Sequence, residues 1–145
     1  MSAGRWLGAL LALLAMGAAP ADRYAAGQIW NYHNRPQDAG SRIKIQRVAV
    51  FGGRPVYHIA VSGIQLAGES GRVAQHLPVS AQTLDASVTD RATGDFAVTL
   101  AQTDEGIAEW ERAQGGVFMI TLGEIIDLID QTMAGGGDAP PPAHS

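Results

Sequence analysis

The sequence contains no cysteine. This absence excludes disulfide frameworks, thiolate metal sites, cysteine nucleophiles and a lipid carried on a terminal cysteine. The chain is also poor in aromatic residues, at 6%, and it has no cluster of basic residues, while its net charge is −4. We do not expect such an acidic chain to bind nucleic acid, because that binding needs a basic patch that meets the phosphates.

Recognisable catalytic motifs are missing as well. No histidine lies in an H-E-x-x-H spacing, and no serine lies in a G-x-S-x-G elbow. The glycine-bearing stretch 63–71 does not end in the G-K-[ST] of a phosphate-binding loop. The sequence therefore indicates no catalytic residue, no set of metal ligands and no cofactor.

Residues 1–21 have the pattern of a secretory signal peptide. Arg5 supplies a positive charge, residues 6–19 form an uncharged run rich in Leu and Ala, and Ala-Pro-Ala at 19–21 fits a cleavage signal. The run is shorter than the roughly 20 apolar residues that span a bilayer. We expect cleavage before Asp22 and a periplasmic or secreted bacterial protein. The alternative is an uncleaved N-terminal segment that anchors the same domain to the membrane.

Residues 41–66 predict a β-hairpin. Apolar and polar residues alternate before and after a central Phe-Gly-Gly-Arg-Pro at 51–55. Glycine tolerates the positive φ that tight hairpin turns need, and proline ends the pairing. This hairpin is the best marked part of the predicted sheet.

The other elements follow from apolar periodicity and capping residues. Ser80 can cap a helix, and Thr121 with Glu124 forms a capping box before the most strongly amphipathic stretch, which stops at Gly135. Residues 90–102 are interpreted as a loop that could include a short strand. The other predicted elements are a strand that begins at Gly27, an edge strand at 72–77, helices at 81–89 and 105–114, and a strand at 116–120.

Strands dominate the first half and helices the second, which is typical of an α+β domain. We expect a single domain at residues 22–134, in which a small antiparallel sheet of about four strands carries two to three helices on one side. The C-terminal helix would be the longest, and a half-barrel around it is an equally good arrangement. Residues 135–145 are rich in glycine and proline and are expected to be disordered.

The charges are unevenly divided along the chain. Residues 22–72 carry seven basic and three acidic side chains, whereas residues 73–145 carry two basic and eleven acidic ones. The two halves could present opposite charges to partners. We favour the simpler interpretation that they attract each other within one fold or keep it soluble.

Short motifs resemble those of a group of small bacterial exported proteins. They are G-Q-I-W-x-Y at 27–32, R-P at 35–36, S-R-I at 41–43, Y-H-I at 57–59, H-L-P-x-S at 76–80 and S-V-T at 87–89. The resemblance spans most of residues 22–134 and implies a single domain. It supplies no catalytic or binding residue, because the group carries no assigned activity.

The candidate ligand-binding residues are two aromatics and two histidines. Trp30 and Tyr32 could form an aromatic platform if they share an exposed sheet face, although such residues more often pack in a core. His58 lies within a strand of the hairpin, where a structural hydrogen bond is the ordinary role, and His76 lies just before a helix. His33 is the third internal histidine, and any two must meet in space to form a site.

Three carboxylates mark one edge of the last helix. Glu124, Asp127 and Asp130 could attract a cation, but a solvated helix face is the simpler interpretation.

These observations favour a non-catalytic binding or interaction module in the cell envelope, whose partner is an unknown protein or small ligand. The first alternative is a small hydrolase or metal-dependent enzyme that uses His58 or His76 with a carboxylate. The second is a structural envelope protein. Convergence of two histidines and an acid in one cleft would favour the enzyme.

Overall fold

The computed structural model describes residues 23–135. The predicted signal peptide at 1–21 and, apart from Gly135, the predicted tail at 135–145 lie outside this range. Within it, no helix is both long enough and apolar enough to cross a membrane.

The described residues form a five-stranded antiparallel sheet and three α-helices, which confirms the predicted α+β class. The strand order is β4-β3-β2-β1-β5. In chain order the elements are β1 (Ile29–Tyr32), a short 3-10 helix (Pro36–Asp38), β2 (Arg42–Phe51), β3 (Arg54–Leu66), β4 (Glu69–Val79), α1 (Ala81–Ser87), β5 (Val88–Ala92), α2 (Leu100–Arg112) and α3 (Leu122–Ala134).

The predicted hairpin is the pair β2 and β3 at the centre of the sheet. Gly52 and Gly53 form its two-residue turn with φ values of 60° and 77°, a conformation that strains residues with a side chain. A second tight turn at residues 67–68 leads into β4. Strand β4 therefore begins at Glu69, earlier than the edge strand predicted at 72–77.

The two faces of the sheet are covered by different helices. Ile59 points into the main core, where helices α1 and α3 contribute Leu84, Leu122 and Ile125. His58 precedes Ile59 and therefore points to the opposite face, because successive side chains of a strand alternate. Helix α2 packs over that face and over the edge strand β4. Two helices share one side as predicted, and the third covers the other.

Helix α3 begins and ends where its sequence predicts. The Thr121 hydroxyl accepts a hydrogen bond from the backbone N–H of Glu124, and the Glu124 carboxylate accepts one from the backbone N–H of Thr121. Gly135 is the C-cap. The helix has 13 residues, the same number as α2. It is thus one of the two longest helices among the described residues.

A buried arginine joins α3 to the sheet. Arg35 lies in the loop after β1, its side chain is 5% exposed, and it bonds the buried carboxylate of Asp38 through two nitrogens at 2.6 and 3.0 Å. It also bonds Asp127 and Asp130 of α3, each at 3.0 Å, and the carbonyl of Gln65 in β3. The cation that two of the three helix carboxylates attract is therefore part of the protein itself.

Other ion pairs also join the basic and acidic halves of the chain. Arg23 pairs with Asp85, and Arg47 pairs with Asp104. These contacts support the interpretation that the uneven charge distribution is used largely within the fold.

Three more elements differ from their sequence predictions. Helix α1 ends at Ser87, and the next residues form β5 because they pair with β1 at the sheet edge, where Val88 lies opposite Tyr32. Helix α2 spans Leu100–Arg112 rather than 105–114, because Thr99 and Gln102 form an unrecognised capping box. The strand predicted at 116–120 is reduced to one parallel bridge between Phe118 and Val79.

Candidate functional site

Two of the predicted site residues, His58 and His76, meet on the α2 side of the sheet. His58 lies opposite Pro78 across the β3–β4 ladder, and His76 precedes Pro78 by two residues, so both imidazoles point to one face. The Nδ1 atom of His58 lies 2.8 Å from Nε2 of His76, and the ring centroids are 5.0 Å apart. One ring donates this hydrogen bond and the other accepts it.

Trp110 of α2 covers the histidine pair. Its ring meets His58 edge-to-face at 5.3 Å between centroids and His76 at 6.2 Å. Its indole N–H donates to the carbonyl of Gly116 at 2.9 Å, which fixes the ring in place.

Two glycines permit this close packing. A Cβ on Gly106 would lie 2.4 Å from Cβ of His76, and a Cβ on Gly115 would lie 2.3 Å from Cδ1 of Trp110. Both distances are far below an ordinary contact. Helix α2 can therefore approach β4 at Gly106, and the Trp110 ring can fold back over the end of its own helix.

Burial keeps the histidine pair neutral. It lowers the pKa of His76 to about 4, and the neighbouring His58 adds to this effect. Burial also lowers the pKa of His58, while the negative charge of Glu111 opposes the shift. At neutral pH the pair thus acts as a hydrogen-bonding group without charge.

A cavity of about 580 Å³ lies between the hairpin tip and the end of α2. We call it the hairpin cavity. Phe51 and Val50 at the tip are 62% and 76% exposed, which is unusual for such large apolar side chains. The lining residues are Ala49, Val50, Phe51, Val56, His58, Trp110, Glu111, Gln114 and Gly115.

The hairpin cavity is apolar with few polar groups. Among the residues that line it, only His58, Glu111 and Gln114 have polar side chains, and none has a hydroxyl group. The Nε2 atom of His58 has no hydrogen-bond partner among the described residues. Every fully buried side-chain nitrogen among these residues has a partner, so Nε2 is not fully buried. Nε2 is therefore reached by solvent, although His58 as a whole is only 3% exposed.

A second, more open cavity of about 640 Å³ lies along the edge strand β4 and shares Trp110 and Gly115 with the hairpin cavity. We call it the edge cavity. It is lined by His76 rather than His58, together with Gly106, Glu109 and Phe118. Trp110 thus lines both cavities, and each cavity is lined by one member of the histidine pair.

The other two predicted ligand-binding residues are not part of this arrangement. Trp30 and Tyr32 are buried in the main core, and the Tyr32 hydroxyl bonds Ser41 at 2.7 Å. Burial raises the pKa of Tyr32 to about 12. Both rings pack inside the domain, so the exposed sheet face on which an aromatic platform at these positions depends is not present.

The third internal histidine stays apart from the pair. His33 follows β1, is exposed, and is held through its backbone N–H by the carbonyl of Ser87. It lines neither cavity. Within residues 23–135, no group of three or more His, Asp or Glu side chains is placed to hold a metal ion.

Sequence reasoning missed the residues that enclose the pair. Trp110 lies in the helix predicted at 105–114 and Phe51 in the turn predicted at 51–55, and neither pattern marks a site. The signal that could have identified the site is Gly106 four residues before Trp110, because a glycine inside a helix often marks a close contact.

Comparison with protein-family models, with curated proteins and with solved structures found no match. The resemblance noted in the sequence stays a prediction.

Proposed function

We propose that the protein is a binding module that takes a small, largely apolar ligand in the hairpin cavity. The observation that carries this proposal is the pair of exposed apolar side chains, Val50 and Phe51, beside a cavity that contains one free imidazole nitrogen. Ligand sites typically have apolar walls with a few polar groups that orient the ligand. Here the polar groups are His58, Glu111 and Gln114.

The histidine pair gives the site a fixed hydrogen-bonding group. The bond to His76 and the contact with Trp110 restrict the orientation of the His58 ring. The ligand would meet Nε2 of His58 and lie against the rings of Phe51 and Trp110. Because Trp110 is held by its bond to the carbonyl of Gly116 and the Phe51 ring rests against Trp110, part of the site is formed before the ligand arrives.

The proposal is tested by NMR titration of the full chain with two neutral probes, indole and benzyl alcohol. We expect saturable shifts of amide signals that are confined to residues 49–58 and 110–115. Phe51→Ala should weaken binding at least fivefold, whereas Leu128→Ala, a matched loss of an exposed apolar side chain on α3, should leave it unchanged. Shifts elsewhere, or equal effects of both variants, would refute the proposal.

A second candidate is acid–base catalysis by His58, which is favoured because His58 and Glu111 both line the hairpin cavity and His76 bonds His58 from behind. His58 would exchange a proton with a bound substrate through Nε2, and His76 would position its ring. Among residues 23–135, no hydroxyl side chain lines the hairpin cavity, so the nucleophile would be water or the Glu111 carboxylate. The lowered pKa of His58 makes it a weak base, and we therefore place binding first.

The two candidates differ in their response to His58→Gln. Glutamine keeps hydrogen-bonding capacity but cannot act as a general base near neutral pH. A binding module should keep its affinity for the two probes within about threefold and show no turnover of p-nitrophenyl esters above that of the variant. An enzyme should lose a turnover that the unaltered protein shows.

We also propose that the domain acts in the periplasm or outside the cell, with the pattern of residues 1–21 as the support. Mass spectrometry of the protein recovered from a bacterial envelope fraction should find Asp22 at the N-terminus. An intact Met1 in the membrane fraction would favour the uncleaved anchor instead.

A further inference from the structure

We propose that the ligand of the hairpin cavity carries an organic ammonium group, which lies against Phe51 and Trp110 and is neutralised by Glu111. This inference rests on the proposed function and adds the chemical class of the ligand.

The first support is the aromatic corner at the mouth of the cavity. The rings of Phe51 and Trp110 meet edge-to-face at 64° with their centroids 5.8 Å apart, and both residues line the cavity. The faces of aromatic rings are electron-rich and attract cations within about 6 Å of the ring centre. Such corners suit alkylated ammonium groups, which are large, weakly hydrated cations.

The second support is an uncompensated negative charge. Glu111 lines the hairpin cavity and has no ion-pair partner among residues 23–135. Of the other acids of α2, Asp104 is paired with Arg47 and Glu109 with Arg112, whereas Glu105 has no ion-pair partner among these residues but lies outside the cavity. A cationic ligand would supply the partner that Glu111 lacks.

The third support is that no cationic side chain lines the cavity. His58 adds no charge at neutral pH, because burial lowers its pKa. The nearest basic residue along the hairpin is Arg54, which lies opposite Phe51 across the turn but is not part of the lining. Its charge would favour an anion instead, so the test includes an anionic probe.

The test compares three probes of nearly the same shape: choline, the neutral 3,3-dimethylbutan-1-ol and the anionic 3,3-dimethylbutanoate. Affinities for the full chain are measured by NMR titration at low salt, where charge effects are largest. We expect choline to bind at least tenfold more tightly than the neutral alcohol. The anion should bind most weakly.

Two matched variants locate the charge. Glu111→Gln should remove most of the preference for choline over the alcohol, while Glu105→Gln, an exposed acid of α2 outside the cavity, should keep it. Phe51→Ala should weaken choline binding at least fivefold. A preference that survives Glu111→Gln would overturn the inference.

The outcomes also separate this inference from the function on which it rests. If indole and benzyl alcohol bind in the cavity while choline has no advantage, or the anion binds best, the ammonium inference fails and the binding function stands. If none of the probes binds, both fail.

Discussion

Replacement of Arg35 by methionine should destabilise the fold more than any exposed charge substitution. The Arg35 side chain is 5% exposed and that of Asp38 is fully buried, so the variant leaves a carboxylate inside the protein without its cation. One bond to Asp38 remains, from the backbone N–H of Gln65 at 2.8 Å. The variant also removes the guanidinium bonds to Asp127 and Asp130 of α3, although Asp130 keeps its bond from the backbone N–H of Ala67 at 2.8 Å.

The expected cost is about 3–5 kcal/mol, the range found when one partner of a buried ion pair is removed. A domain of this size has a total stability of about 5–15 kcal/mol, so the variant should be close to the limit of folding. Arg35→Lys is a milder test, because lysine keeps the charge but cannot bond two carboxylate oxygens in the same plane. The free energy of unfolding of Arg35→Lys should lie between those of the unaltered protein and Arg35→Met.

Urea unfolding followed by circular dichroism measures these differences. With a slope of about 1.5 kcal/mol per molar urea, a loss of 3 kcal/mol lowers the midpoint by about 2 M. Asp127→Asn is the matched control. Its side chain is 54% exposed, so its loss should cost no more than about 1 kcal/mol.

The double variant Arg35→Met with Asp38→Asn gives the sharper result. It removes both buried charges, so that no carboxylate is left at position 38 without a cation. We therefore expect it to be more stable than Arg35→Met alone. If Arg35→Met costs less than about 1 kcal/mol, or if the double variant is less stable than the single one, the role assigned to this buried ion pair is wrong.

Two further predictions concern the histidine pair. Gly106→Ala should cost about 1–3 kcal/mol of stability through overpacking against His76, although alanine is the better helix former. The control Gly123→Ala in α3 has room for the methyl group and should stabilise the protein. Equal urea midpoints for the two variants would contradict the close approach of α2. The unfolded chain should bind a proton at His76 near pH 6.5 and the folded protein only near pH 4, so stability should fall as the pH drops between these values. His76→Gln should remove that part of the loss, and an NMR titration of the His76 ring near pH 6.5 would contradict the prediction.

The parts of the fold that sequence predicted are those determined locally. Gly52 and Gly53 adopt the positive φ that a tight turn needs, and Thr121 with Glu124 bonds the free backbone N–H groups at a helix start. Neither motif depends on residues far away in the chain. Strand β5 was missed because its pairing partner, β1, lies more than 50 residues earlier in the chain. Local propensity predicts Val88 within the last turn of a helix, whereas in the structure it pairs with β1 in the sheet.

The site was only partly predictable for the same reason. His58 and His76 were identified as residues of interest, but their meeting depends on the register between β3 and β4, which sequence does not give. Trp110 and Glu111 enter through packing of α2 over the sheet. The face that α2 covers is decided by contacts such as the bond from Thr103 to the carbonyl of Gln75.

The bond between the two imidazoles links the chemistry of the two cavities. Each neutral imidazole carries one N–H hydrogen, and only one of these two hydrogens can lie between Nδ1 of His58 and Nε2 of His76. When His58 supplies that hydrogen, its outer nitrogen is an acceptor and the outer nitrogen of His76 is a donor. When His76 supplies it, the two roles are exchanged. A ligand that selects one tautomer of His58 therefore also determines which hydrogen-bonding role His76 has beside the edge cavity, with no movement of the backbone.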